Sequence, residues 1–134
     1  MSMLKLVPTL IVDDMPTTIA FYHDVLEFEL VDAQPPDDPW WTRLRCGAVE
    51  IMLQTRQSLL QEYPFYGDRP LGGTFNLYIE MDQIDAYYTR VKTRIIPYFE
   101  LADEPYGMRE FTIWDNNGVV VAFGERIGSS GADR

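Results

Sequence analysis

Hydrophobic and polar positions follow the same order of spacings in both halves of the chain. Apolar runs and alternating patterns predict strands, and apolar residues three or four positions apart predict helices. In the first half, the pattern predicts a strand, a helix and three further strands over residues 4–12, 16–26, 28–31, 40–45 and 48–55. In the second half, it predicts a strand over 74–81, a helix after Asp82, and strands over 96–101, 108–114 and 119–123.

Capping and turn residues support these elements. Asp13 or Asp14 can accept hydrogen bonds from the first amides of one helix, and Asp82 is predicted to cap the other. Asn117-Gly118 predicts a hairpin turn between the last two strands of the chain. Cys46-Gly47 predicts another hairpin turn, between the strands over 40–45 and 48–55.

An internal repeat relates the two halves. A shift of 69 residues places Met15 on Ile84 and Tyr22 on Val91. Each half contains one helix, which can cover only one face of its sheet, so two copies are expected to curl their sheets around a shared interior. The predicted fold class is α+β, with two βαβββ modules that form a curved mixed sheet around a cleft.

The repeat also defines the predicted domain organisation. A single domain is expected over residues 1–126, and residues 127–134 are expected to be a flexible tail. Module one covers about 4–56, a connecting loop covers 57–73, and module two covers about 74–125. The loop is rich in aromatic residues, Gly and Pro, and a connection this long is more often functional than idle.

The charge balance limits the partners. Eleven Lys and Arg against 21 Asp and Glu give a net charge of −10, a field that repels phosphate. We therefore expect no nucleic-acid and no membrane partner, and a small-molecule ligand that is neutral or cationic. The start of the chain lacks the basic flank and apolar run of a signal peptide, so a cytoplasmic protein is expected.

Few residues offer nucleophilic or redox chemistry. One cysteine and one histidine exclude an internal disulfide and a thiolate zinc cluster. We interpret Cys46 as a packed or semi-exposed thiol and His23 as a solvent-facing residue of the first helix. No cofactor is predicted. Glu50 and Glu110 are the candidates for acid–base catalysis.

Aromatic residues are concentrated in segments expected to border the cleft, where they can stack on planar rings and attract cations. The predicted ligand-binding residues are Trp40, Trp41, Phe65, Tyr66, Tyr78, Tyr106, Arg109 and Trp114. The alternative is that such side chains fill the core. Arg109 and Glu110 are adjacent, so only one of them can face the interior of a regular strand.

Two segments resemble the glyoxalase/bleomycin-resistance/dioxygenase superfamily. Residues 10–26, with the motif Phe21-Tyr22-His23-Asp24-Val25-Leu26, are similar to its opening, and residues 106–123 resemble its closing hairpin. The likeness covers roughly residues 4–125 and implies the vicinal oxygen chelate fold and a homodimer. Glu27 stands where relatives usually have Gly, so either Glu27 adopts a positive φ or the first helix ends differently.

The resemblance also implies where a divalent ion would bind. Metal-dependent members hold it with His, Glu or Gln side chains on the first and last strands of each module. The matching positions here are Val7, Asn76, Ala122 and Ile51, or Glu50 if the strand is aligned one residue shorter. Because Val and Ala offer no donor atom and a divalent cation needs several donors, we predict no metal site of this type.

Three functions remain open. The leading hypothesis is a metal-free small-molecule binding protein that resembles bleomycin-resistance proteins and sequesters a bulky aromatic or cationic compound in a dimer cleft. The first alternative is a glyoxalase-related lyase or isomerase with a non-standard metal site or an acid–base site. The second is a sensor or interaction module whose dimer face is the working surface.

Overall fold

The computed structural model describes residues 1–128 of the chain. The chain divides into two units, Met1–Leu71 and Gly72–Arg134. Of the predicted tail, residues 129–134 lie outside the described part. Ile127 and Gly128 each direct a backbone N–H to the carbonyl oxygen of Gly107, at 2.9 and 3.3 Å.

Each unit contains one four-stranded mixed sheet and at least one helix. The first unit contains β1 Thr9–Val12, α1 Met15–Ala20, a π-helical turn Phe21–Val25, β2 Glu29–Gln34, β3 Trp41–Cys46, β4 Val49–Thr55, α2 Arg56–Glu62 and a 3-10 turn Pro64–Tyr66. The second unit contains β5 Asn76–Glu80, α3 Ile84–Val91, β6 Ile96–Glu104, β7 Met108–Trp114 and β8 Val120–Arg126. Among residues 1–128, no helix is both long and apolar enough to cross a membrane.

The two sheets have the same strand order, which confirms the α+β repeat. The first runs β1-β4-β3-β2 and the second β5-β8-β7-β6. In each, the first strand pairs in parallel with the last strand and the remaining pairs are antiparallel. The helices α1 and α3 begin at Met15 and Ile84, the positions that the repeat aligns.

The core of each unit lies between its sheet and its helix. In the first unit, Tyr22 and Leu26 are buried with the sheet residues Leu10, Leu44 and Leu53. Because side chains alternate across a strand, one face of the sheet supplies these residues and the other remains available.

The core of the second unit is aromatic. Tyr87 of α3 packs edge-on against Phe123 of β8, at a ring-centre distance of 5.4 Å. Phe123 in turn stacks on Phe111 of β7 at 4.9 Å. Phe111 and Phe123 are almost wholly buried, so they anchor the sheet to the helix.

The residue after the first helix, Glu27, adopts a positive φ, which is one of the two alternatives that the sequence left open. Glu27 has a φ of +71°, a conformation that costs a residue with a side chain about 1 kcal/mol or more. The flanking residues Leu26 and Phe28 are buried, at 0% and 3% exposure. Their burial offsets the strain at Glu27.

The predicted cap of the second helix is wrong. The residue before α3 is Gln83, with a φ of +56°, and the first amides of the helix do not bond to Asp82. Instead, the Glu125 carboxylate accepts from the backbone N–H groups of Gln83 and Ile84, each at 3.0 Å. Glu125 lies more than 40 residues away along the chain, so no local sequence signal identifies it.

Several predicted segment boundaries also differ from the structure. β1 covers only Thr9–Val12 of the predicted 4–12. β2 extends to Gln34, into the segment that the Pro-rich pattern left irregular. The predicted connecting loop 57–73 begins instead with α2, because the Thr55 hydroxyl caps the amide of Ser58 at 3.2 Å and Leu59 is buried.

Removing the Glu125 carboxylate should destabilise the second unit. We expect Glu125→Ala to lower the free energy of unfolding by about 1–2 kcal/mol, because two amides at the start of α3 lose their acceptor. The matched control is Asp82→Ala, which should change the free energy by less than about 0.5 kcal/mol. Urea denaturation followed by circular dichroism measures both. An equal or larger loss in Asp82→Ala would contradict this capping arrangement.

Candidate functional site

A cavity of about 820 Å³ opens on the second sheet. On β7, alternation sends Phe111 and Ile113 into the core with α3 and sends Glu110, Thr112 and Trp114 to the opposite face. The cavity is lined by Asn76, Tyr98, Phe99, Glu100, Ala102, Glu104, Tyr106, Glu110, Thr112, Trp114, Val120 and Ala122.

Irregular pairing of β6 supplies part of the aromatic wall. Pro97 pairs with Ile113 and Phe99 pairs with Thr112, so β6 has one extra residue, Tyr98, between these pairs. As a result, the neighbours Tyr98 and Phe99 both line the cavity, and both are more than half exposed. The Tyr98 ring meets the Trp114 ring edge-on at 4.9 Å.

Sequence reasoning left Phe99, Glu100 and Glu104 out of the predicted site. A regular strand would direct Phe99 and Glu100 to opposite faces, and only the bulges bring them to the same cavity. The available signal was Pro97, because proline inside a strand indicates an edge strand or a bulge.

The cavity is acidic as well as aromatic. Three carboxylates line it, those of Glu100, Glu104 and Glu110, and none of its described lining residues is Lys or Arg. The Glu110 carboxylate accepts hydrogen bonds from two phenols: Tyr78 donates to Oε2 and Tyr106 donates to Oε1, each at 2.5 Å. Such a concave, low-dielectric surface concentrates the field of its charges and attracts cations.

Arg109 lies on the other face of β7, so Glu110 is the one of these two neighbours that faces the cavity. The Arg109 guanidinium binds Asp103 through Nε at 2.6 Å and Asp85 of α3 through Nη1 at 2.9 Å. The hydrogen bond from Arg109 lowers the pKa of Asp103 below its usual range. Arg109 is therefore not among the residues that line the cavity, contrary to its predicted place in the ligand site.

The remaining predicted ligand-binding residues divide between the units. Tyr106 and Trp114 line the cavity of the second unit, and Tyr78 reaches it through its bond to Glu110. Trp40 borders a separate cavity of about 610 Å³ in the first unit, together with residues of α2. Trp41 lies on β3, where the Arg43 guanidinium is 5.9 Å from its ring centre.

The aromatic pair of the 3-10 turn forms its own exposed cluster. The rings of Phe65 and Tyr66 stack at 4.6 Å, and the Arg69 guanidinium lies 6.0 and 5.4 Å from their centres. These two predicted ligand residues belong to the first unit and line neither of the two cavities described above.

Cys46 and His23 are placed where little chemistry is available to them. Cys46 ends β3, and burial together with the nearby Glu27 and Glu29 carboxylates raises the pKa of its thiol. A raised pKa disfavours the reactive thiolate. His23 is exposed and bonds to the Asp24 carboxylate at 2.8 Å.

Comparison with known proteins assigns the family. The model of the glyoxalase/bleomycin resistance protein/dioxygenase superfamily matches residues 5–123. The chain belongs to this superfamily. A bleomycin resistance protein from Geobacillus stearothermophilus is 29% identical over 136 residues, which cover 95% of this chain and 100% of that protein.

Two solved structures of this superfamily's fold resemble the chain closely. A glyoxalase/bleomycin resistance protein/dioxygenase from Nocardioides has a TM-score of 0.76 at 21% identity, and the match covers 100% of this chain and 91% of that one. TnmS3, an antibiotic binding protein from Streptomyces, has a TM-score of 0.71 at 20% identity, with 94% and 98% covered. At these identities the likeness establishes the fold.

In the second unit, the positions that the superfamily resemblance implies for metal ligands do not fit a divalent ion. Asn76 offers a carboxamide and Ala122 offers no donor, although both line the cavity. Among residues 1–128, no group of three or more His, Cys, Asp and Glu side chains could hold a metal ion. A divalent cation needs several oxygen or nitrogen donors, which these residues do not provide.

The corresponding positions of the first unit do not fit either. Val7 has no donor, and Ile51 faces the core at 2% exposure. The pairings Thr9 with Met52 and Tyr78 with Ala122 make Met52, and not Ile51 or Glu50, the structural counterpart of Ala122.

The Glu50 carboxylate is committed to basic side chains. It bonds to Lys5, to Arg43 at 2.7 Å, and to Arg45 at 3.5 Å. The hydrogen bonds from Lys5 and Arg43 lower the pKa of Glu50 from 4.5 to about 2. A carboxylate that is this acidic and paired with three cations is a poor general base and a poor metal ligand.

Stability in acid should depend on Glu50. Because folding lowers its pKa, its contribution is complete above about pH 4.5 and is lost as the pH falls toward about 2. We expect Glu50→Gln to lower stability at pH 7 and to flatten the fall in unfolding free energy between pH 4.5 and 2. Asp37→Asn, in the exposed loop before β3, is the control. The unfolding free energy is measured by denaturant titration at each pH. If it falls equally steeply with pH in Glu50→Gln and in the unaltered chain, the role assigned to Glu50 is refuted.

Proposed function

We propose that this chain binds a bulky planar cation in the cavity of its second unit and sequesters the molecule without changing it chemically. The observation that carries the proposal is the composition of the cavity wall. Four aromatic side chains and three carboxylates share one surface, and its described lining residues include no Lys or Arg. The aromatic residues are Tyr98, Phe99, Tyr106 and Trp114.

The physical chemistry of this wall suits such a ligand. Aromatic faces stack on planar rings and attract cations, each contact contributing about 0.5–2 kcal/mol. The carboxylates add a field that raises the local concentration of cations. The volume of about 820 Å³ is in the range of cavities that enclose drug-sized molecules.

The similarity to named relatives supports the same function. One relative is called a bleomycin resistance protein, and one protein of similar fold is called an antibiotic binding protein. Sequestration requires affinity and no catalytic group. The charge pairs around Glu50 and the unsuitable donor set at the implied metal positions favour binding over glyoxalase-type chemistry.

Binding should depend on Trp114. We expect isothermal titration calorimetry to detect binding of metal-free bleomycin or of 9-aminoacridine, a planar cation at pH 7. Trp114→Ala should weaken that binding about tenfold, since it removes a stacking surface. The matched control is Trp40→Ala, which alters the separate cavity of the first unit. The proposal is refuted if neither compound binds, or if Trp40→Ala weakens binding more than Trp114→Ala does.

We also propose that the protein acts in the cytoplasm as a homodimer. The superfamily resemblance implies the dimer, and exposed apolar side chains support it: Ile96, Tyr98 and Phe99 on β6 are each more than half exposed. A second copy would remove such side chains from water.

The dimer has a direct test. Sedimentation velocity at micromolar concentration should give twice the chain mass of 15.5 kDa. Phe99→Glu, which places a charge among the exposed apolar residues of β6, should shift the protein toward the monomer. Tyr63→Glu, an exposed aromatic of the first unit, is the control. A particle of 15.5 kDa for the unaltered chain would refute the homodimer.

A further inference from the structure

The Glu110 side chain is held at both of its oxygens. Tyr78, on β5, donates to Oε2, and Tyr106, in the turn before β7, donates to Oε1. Both bonds measure 2.5 Å, in the range of strong charge-assisted hydrogen bonds. Because a phenol is a neutral donor, this arrangement fixes the direction of the carboxylate without cancelling its charge.

Gly124 makes this arrangement sterically possible. It lies on β8, where its backbone pairs with Glu110 on one side and with Glu80 on the other. A Cβ atom at this position would lie 2.1 Å from the Tyr78 hydroxyl oxygen and 2.9 Å from its Cζ. Glycine inside a strand weakens the strand and often marks a close approach. Here the close approach is that of the Tyr78 ring.

We propose that Glu110 recognises the positively charged group of the ligand, that Tyr78 and Tyr106 are its positioning residues, and that Gly124 is a specificity-determining position. The ligand class is a protonated amine or amidinium attached to a planar ring system. The inference rests on the proposed function, since it assigns the charge-recognition step within the same cavity. The aromatic wall supplies affinity for the rings, and Glu110 selects for the charge.

A matched pair of probes separates the two contributions. 9-Aminoacridine and acridine have nearly the same shape, but at pH 7 the first is a cation and the second is neutral. The quantity to measure is the ratio of their dissociation constants by calorimetry at fixed low salt, because salt screens the charge. The unaltered protein should prefer the cation about tenfold or more.

Glu110→Gln should remove this preference. The variant keeps an acceptor of the same size and loses the charge, so the ratio should fall to about one while acridine binding is unchanged. Asp37→Asn, in the exposed loop before β3, is the control, because it removes one negative charge from outside the cavity. It should leave the preference unchanged. Glu110→Asp, which keeps the charge and withdraws it from both phenols, should give an intermediate ratio.

The positioning role is tested by a double-mutant cycle. Gly124→Ala should lower the cation preference about as much as Tyr78→Ala does, because its Cβ displaces the Tyr78 ring. Adding Gly124→Ala to Tyr78→Ala should cost little more, since the ring that it clashes with is gone. A general loss of packing would weaken both probes equally and would leave the ratio unchanged.

The outcomes distinguish the two proposals. If the unaltered protein binds both probes and Glu110→Gln keeps the cation preference, the inference is wrong and the proposed function stands. If the unaltered protein binds neither probe and no bleomycin, both are wrong. If Glu110→Gln does not fold, Tyr78→Phe and Tyr106→Phe take its place. Each removes one donor, so an unchanged ratio in both would overturn the inference.

Discussion

Each sheet of this protein has two faces, and α1 or α3 packs against only one of them. Alternation along the strands sends residues such as Phe111 and Ile113 to the helix and sends Glu110 and Trp114 away from it. The first set provides the burial that stabilises the unit, and the second set is free of that requirement. The candidate site is built on the face that folding does not need to fill.

The elements that sequence reasoning predicted depend on local patterns. The helices predicted over 16–26 and after Asp82 follow from apolar spacing, and the repeat follows from the same spacing occurring twice. Features that it missed depend on residues far apart. Glu125 caps α3 from 41 and 42 residues away, and Lys5 reaches Glu50 across 45. Composition and period carry no information about such contacts.

Part of the cavity lining was expected from the sequence. Trp114 of β7 and Tyr106 in the turn before it line the cavity, and their role in ligand binding stays a prediction. The structure directs Glu110 and not Arg109 to the cavity, a choice that adjacency in the sequence leaves open. Phe99 was missed because a bulge changes the alternation on which face assignments rest.

Ala122 has a further consequence when it is compared with its counterpart in the repeat. At the matching register position, the first sheet has Met52, a long side chain whose sulfur accepts from Arg43 at 3.7 Å. The second sheet has a single methyl group there, and that methyl borders the cavity. The two sheets thus differ in side-chain volume at one equivalent position. Ala122 offers an ion no donor, and its small side chain leaves depth in the cavity for the planar ligand that we propose.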